Sequence, residues 1–249
     1  MKKFYQVLVL LIITAQGYTQ ESGRIFIRNF PPEEYKAAPQ NWNIVQDRYG
    51  IIYFSNNEGM LEYDGVTWKL NKLPGLHEIL IGRNGQIYAA LENDFGVFIR
   101  DGSGNMQYHS LKSRIPGGDR DISTVWQLHS QGEKIIFRTN NEIFILENDL
   151  IKVIKPEAYL TISISIGDTV YFRLHNKGLY LLRNDSLVSA DSSELFATER
   201  ITAAIPFRGK DLLIVTRHKG IYIYSPAAKE KFQKINEAYE RIKKERGMV

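Results

Sequence analysis

The side chains able to do chemistry in this 249-residue sequence are mainly arginine, histidine and tryptophan; there are five His, three Trp and no Cys. The histidines His77, His109, His129, His175 and His218 show no metal-ligand spacing, such as two His four apart with a Glu between. The lack of cysteine removes thiolate metal sites, disulfides and a lipidated N-terminal Cys. No nucleophile elbow, phosphate loop or paired-carboxylate motif occurs. We therefore expect no cofactor, no metal and no catalysis, which leaves binding chemistry. Arg138 and Arg173 occupy the same position in consecutive repeats. Two convergent guanidiniums could grip a carboxylate or a uronic acid through paired hydrogen bonds. The alternative is a structural role, with each arginine paired to an acid at a strand edge. His175 and His218 fall in one turn region of neighbouring repeats, offset by one position, where an acid–base pair could form. Trp42 reads as an exposed ring suited to stacking on a sugar. Trp126, inside an apolar run, reads as core, and Trp68, near Tyr63 across the Asp64-Gly65 turn, as outer-strand packing.

The elements that must position these groups are repeated. Five segments share a leading Gly, an apolar strand, a polar turn and a second apolar strand. They begin at Gly50, Gly85, Gly132, Gly167 and Gly209, with second strands at Met60-Leu61-Glu62, Val97-Phe98-Ile99, Ile143-Phe144-Ile145, Leu179-Tyr180-Leu181 and Ile221-Tyr222-Ile223. The third repeat has Asn141-Glu142 where others have a second Gly, and Asn is expected there to supply the positive φ. An apolar strand precedes each leading Gly, as in Thr161-Ile162-Ser163-Ile164-Ser165-Ile166, and a weaker one follows, as in Leu150-Ile151-Lys152-Val153-Ile154. Four short antiparallel strands per unit of about 40 residues indicate an all-β fold, a β-propeller with about five blades. A β-sandwich would not repeat one strand in four in this way. The expected blades span 41–75, 76–115, 121–156, 160–195 and 200–235, after a lead-in at 20–40.

In such a fold one face carries the turns between the second and third strands and the links into the first. Asn41, Trp42, Asn56, Asn57, Glu92, Asn93, Arg120, Arg138, Asn140, Arg173, His175, Arg217 and His218 fall there. The expected ligand-binding set is Trp42, Asn57, Arg120, Arg138, Arg173, His175, Arg217 and His218.

The two ends differ from the body. Lys2 and Lys3, then Val7 to Ile13, then Ala15-Gln16-Gly17 have the form of a secretory signal over residues 1–19. The apolar run is too short to span a bilayer. Export to the periplasm or cell surface is expected. Residues 227–246 take a helical period, with Phe232, Ile235, Tyr239 and Ile242 on one face, so an amphipathic helix is expected. The formal net charge is +4. It resides in these ends, the body being about neutral, so nucleic acid is not an expected partner.

The first repeat carries a more specific signal. The run from Val45-Gln46-Asp47-Arg48-Tyr49-Gly50 through Ile51-Ile52-Tyr53-Phe54 to Gly59-Met60-Leu61-Glu62-Tyr63-Asp64-Gly65 resembles the two-component-regulator propeller repeat. Tyr53 stands where that family usually has Trp, and Met60 precedes the Leu. The resemblance covers roughly 41–225, more loosely beyond the first repeat. It implies a periplasmic sensor region of a bacterial regulator and a glycan-fragment ligand. It also implies a membrane helix and output domains, none of which lies within these 249 residues. The family usually has seven blades, so five imply an incomplete ring, and further blades or a homodimer partner are expected at its open edges. Two other function classes fit the residues: an exported scaffold for another protein, and a propeller lyase or hydrolase.

Overall fold

Runs rich in β-branched and aromatic residues, broken every five or six positions by Gly, Asn or Asp, cannot build long helices and instead pair as short strands. The computed structural model describes residues 27–225, apart from 192 and 210, together with the backbone of 232–234. The expected signal at 1–19 lies outside these residues. The chain divides into two units, Met1–Pro31 and Pro32–Val249. In the described part of the first, the Arg28 guanidinium lies 4.4 Å from the centre of the Phe30 ring. Everything below concerns the second.

Five four-stranded antiparallel sheets follow one another in sequence order. Blade 1 contains β1 (Asn41–Gln46), β2 (Ile52–Asn56), β3 (Gly59–Tyr63) and β4 (Trp68–Lys72). Blade 2 contains β5 (Leu76–Ile81), β6 (Ile87–Leu91), β7 (Phe95–Arg100) and β8 (Met106–Ser110). Blade 3 contains β9 (Gln127–Gln131), β10 (Lys134–Arg138), β11 (Ile143–Glu147) and β12 (Leu150–Ile154). Blade 4 contains β13 (Leu160–Ile166), β14 (Thr169–Leu174), β15 (Gly178–Arg183) and β16 (Ser186–Ser189). Blade 5 contains β17 (Ile201–Phe207), β18 (Asp211–Thr216), β19 (Ile221–Tyr224) and β20 (Phe232–Lys234). Inner strands pack in series, β1 on β5, β5 on β9, β9 on β13 and β13 on β17. Among the described residues the sheets do not close into a ring. Among the described residues no helix is long and apolar enough to cross a membrane.

The cores lie between blades, because each sheet buries both faces of its middle strands. Tyr53, Met60, Ile79 and Ala89 fill the gap between blades 1 and 2. Phe95, Phe137 and Phe144 fill the next, the Phe95 ring centre lying 4.5 Å from that of Phe137 and 5.0 Å from that of Phe144. Ile136, Ile143, Phe172 and Leu182 join blades 3 and 4. Tyr171, Leu179, Leu212 and Ile214 join blades 4 and 5.

A second device fixes the inner strands. An inner strand is an edge strand, with backbone N–H groups that need acceptors. Asn43 Oδ1 accepts from the Ile79 N–H at 3.1 Å, Glu78 Oε2 from the Leu128 N–H at 2.8 Å, and Gln127 Oε1 from the Ser163 N–H at 2.8 Å. In each case one blade's side chain ties the next blade's inner strand. At the fourth joint the equivalent residue is Ile162, which has no acceptor, and that joint relies on its apolar core and on Arg173, which donates to the Phe196 and Ala197 carbonyls of the link.

Two expectations need correction. The backbone of Phe232–Lys234 is not helical but pairs with β19, Tyr222 opposite Lys234 and Tyr224 opposite Phe232. The exposed edge of β19 offers unpaired backbone groups, and the segment that follows it in the chain satisfies them. The remainder of the expected 227–246 helix lies outside the described residues. The turn at Asn141-Glu142 also works differently. Thr139 Oγ1 accepts from the Asn141 and Glu142 N–H groups at 3.1 and 2.8 Å, so a side-chain cap replaces a positive-φ residue.

Candidate functional site at the mouth of the blades

The site begins as a backbone irregularity. The pairing of inner strand with second strand skips one residue near the start of blades 1, 2, 4 and 5, between Asn41 and Asn43, Leu76 and Glu78, Leu160 and Ile162, and Ile201 and Ala203. The skipped residues are Trp42, His77, Thr161 and Thr202. In blade 3 Trp126 holds the same place, just ahead of the Gln127–Arg138 pair, with its N–H bonded to the Arg138 carbonyl at 2.9 Å. A bulge leaves its extra residue unpaired and re-aims the side chain. Four bulges, and the residue just before β9 in blade 3, deliver one side chain per blade to a common mouth. Trp42, His77 and Trp126 line a cavity of about 480 Å³; Trp126, Thr161 and Thr202 line a second of about 780 Å³. Both cavities include Trp126 and Gln127, so they form one trough across the inner strands.

The blade 1–3 end is aromatic. The Trp42 and His77 rings are 6.2 Å apart, and those of His77 and Trp126 are 4.9 Å apart. Trp42 is 56% exposed and Trp126 43% exposed. Trp126 is therefore not core, contrary to expectation: it sits just before β9, ahead of the regular strand pairing, and stays exposed. Trp68 does pack on the outer strand, stacked on Tyr63 at 4.4 Å. Asn57 does not reach the trough but accepts the Trp42 indole N–H at 2.7 Å, holding that ring. Burial keeps the His77 imidazole below its ordinary pKa.

The blade 3–5 end is cationic. Arg138 and Arg173 are each only 3% exposed, and both line the larger cavity with His175 and Arg200. Arg138 donates to Gln127 Oε1 at 2.7 Å and Asn140 Oδ1 at 3.1 Å, while its buried Nε has no partner among the described residues. Arg173 donates to the carbonyls of Phe196 and Ala197 at 3.1 and 2.9 Å and to Thr161 Oγ1 at 3.1 Å. Every one of these acceptors is neutral. Burial lowers the Arg138 pKa to about 10, opposed by Glu78 and Tyr159, and lowers that of Arg173, opposed by Glu199. Burial also pushes the Glu78 carboxyl up to about 7, against the stabilising Leu128 N–H and Arg138 charge. His129, buried beside Ser163 Oγ at 2.7 Å, is held neutral, with burial lowering its pKa to about 4.

The structure separates the expected site residues. Trp42, Arg138, Asn140, Arg173 and His175 line the trough. Arg120 does not; it is spent on Glu142, with contacts of 2.7 and 3.1 Å. His218 lies against Glu199 at 3.5 Å and does not join His175 in a pair, and neither His218 nor Arg217 lines either cavity. Asn41 and Asn56 bond each other at 2.9 Å, and Asn93 serves its turn with φ 58°. Glu92 does not line either cavity. Sequence reasoning missed His77, Glu78, Tyr159, Thr161, Arg200 and Thr202. Trp42, His77, Trp126, Thr161 and Thr202 precede the leading Gly by 8, 8, 6, 6 and 7 positions, so no fixed spacing marks them.

No protein-family model matches the chain, and no curated protein matches it. Solved structures do. Virginiamycin B lyase from Staphylococcus aureus is similar with a TM-score of 0.57 and 12% identity, over 78% of this chain and 69% of that one. The extracellular domain described as belonging to a hybrid two component system of B. thetaiotaomicron gives 0.60 and 15%, over 83% of this chain and 31% of that one. A one component system's extracellular domain from B. thetaiotaomicron gives 0.54 and 15%, over 78% and 27%. This chain thus spans less than a third of either sensor chain. At these identities the likeness is one of fold: five four-stranded blades of a β-propeller, left open as an arc.

Proposed function

We propose that this chain is a non-catalytic, exported ligand-sensing module of a bacterial regulator, and that it binds a glycan fragment in the trough. The observation that carries this reading is one residue per blade set outside the regular inner-strand pairing, by a bulge in blades 1, 2, 4 and 5 and by its place just before β9 in blade 3. Fully paired strands would bury or disperse Trp42, His77, Trp126, Thr161 and Thr202; left unpaired, they gather around one mouth. Flat rings beside hydroxyl and amide groups suit a sugar, whose faces are apolar and whose edges are polar. The likeness of fold to extracellular domains of two-component and one-component systems supports the same reading, as does the export signal read at 1–19.

The test is calorimetry of the protein across a panel of oligosaccharides. Wild type is expected to bind at least one without turnover, and Trp126→Ala to weaken that binding about tenfold or more through lost stacking area. Equal affinity in the variant would remove the trough as the binding site.

A lyase acting at the same mouth is the second reading, favoured by His175, which is exposed within the cavity. Against it, no carboxylate lines that cavity to orient the imidazole. Turnover of a bound oligosaccharide that disappears in His175→Ala would establish the lyase in place of the sensor.

A further inference from the structure

Arg138 and Arg173 carry more charge than their structural task needs. Each closes a joint to the next blade: Arg138 reaches the Leu160 carbonyl at 3.5 Å, and Arg173 reaches those of Phe196 and Ala197. At the equivalent place in blade 1, Ser55 Oγ donates to the His77 carbonyl at 3.0 Å, and blade 2 has Ala90. A hydroxyl or nothing therefore suffices for that joint. A buried guanidinium is costly unless an anion or several strong acceptors compensate it. Among the described residues neither arginine has a carboxylate within ion-pair distance, whereas Arg83, Arg100, Arg114 and Arg120 all do. Arg200 adds a third guanidinium to the same cavity, exposed and without a side-chain hydrogen bond among the described residues. Three arginines line the cavity and no acid does. The carboxyls that act on them without an ion pair are Glu78, which lines the neighbouring cavity, and Glu199, whose oxygen accepts the His218 N–H at 2.9 Å.

We infer that the ligand is anionic: a glycan fragment bearing a uronate carboxylate or a sulfate ester, held at the Arg138–Arg173–Arg200 end while its sugar rings lie over Trp126. The inference rests on the binding reading above and specifies its ligand. Guanidinium forks match the oxygen spacing of both oxyacids, and the deep pair provides fixed charge while Arg200 is free to close on the group.

The experiment titrates the full chain with three sets of probes: oligogalacturonates for the carboxylate, carrageenan oligosaccharides for the sulfate, and neutral xylo- and malto-oligosaccharides. Wild type and Arg200→Ala are compared, since Arg200 is exposed and its loss leaves the joints intact. An acidic probe is expected to bind, to weaken on the order of tenfold in Arg200→Ala, and to weaken further as salt is raised. Which acidic set binds identifies the oxyacid. Acidic binding unchanged by Arg200→Ala would overturn the inference. So would tight binding of a neutral probe that depends on Trp126, which would leave the sensing module itself standing. Silence of every probe would bring down the binding reading and this inference together.

Discussion

Glu78→Gln is expected to stabilise the protein at pH 8 by roughly 2–3 kcal/mol and to leave it unchanged near pH 4. The glutamate ties blade 2 to blade 3 through the Leu128 N–H, a task performed by Asn43 and Gln127 at the adjoining joints. An amide oxygen does this work without a charge. Burial raises the Glu78 pKa from 4.5 to about 7. A carboxyl whose folded value is raised holds its proton more tightly in the native state. Its contribution to stability is therefore present at low pH, declines as pH rises from about 4.5 to about 7, and is absent above. Glutamine keeps the hydrogen bond and removes the titration, so the gap between variant and wild type must open across that window. His129 titrates in the opposite sense, but it is common to both proteins and cancels in the difference. Urea denaturation at several pH values measures the effect. A gap independent of pH, or a less stable variant at pH 8, would refute the account of Glu78 as a buried, partly protonated tie.

Gly178→Ala is expected to cost roughly 3 kcal/mol or more, and to impair the site with the fold. Gly178 opens β15 with φ +99°, and a Cβ there would fall on the Ser193 carbonyl oxygen and within 2.6 Å of its carbon. The obstacle is backbone, which cannot swing aside. Ser193 also begins the short turn Ser193–Phe196, whose Phe196 ring is fully buried and whose carbonyl accepts from Arg173. Displacing Ser193 therefore disturbs both the core between blades 4 and 5 and the anchor of one cationic side chain. Gly167 provides the comparison. It too has positive φ, +53°, but a Cβ there meets nothing within 4 Å, so Gly167→Ala should cost only about 1 kcal/mol. Denaturation midpoints of the two variants test this directly. Similar losses at both positions would mean that backbone conformation alone, and not the Ser193 contact, explains the glycine.

That glycine shows how much of the fold could be read early. Its recurrence was visible, and Gly59 has the same surroundings, with the Asn71 carbonyl where its Cβ would lie. The reason for it was not visible, because Asn71 belongs to the outer strand β4 and Ser193 to the turn after β16, at different distances in sequence. The tail illustrates a conflict of levels. A helical period runs through Phe232, yet the backbone at Phe232–Lys234 completes a sheet, since an unpaired strand edge outweighs weak local preference.

The site was less legible than the fold. Arg138, Arg173 and His175 emerged because second strands and their turns keep constant register within a repeat. Alternation along the apolar run places Trp126 inward, but β9 begins only at Gln127, which leaves the ring ahead of the strand and exposed. Arg120 looked as available as Arg138 until Glu142 was found across from it. By itself the sequence determined the all-β class and the repeat of four strands. Those follow from strand propensity and turn chemistry, which act over a few residues. Tertiary structure decided which side chains face the mouth and which arginines have no carboxylate within ion-pair distance among the described residues. Both depend on groups that meet across blade joints, 20 to 50 residues apart in the chain, such as Glu78 with Leu128 and Arg173 with Phe196.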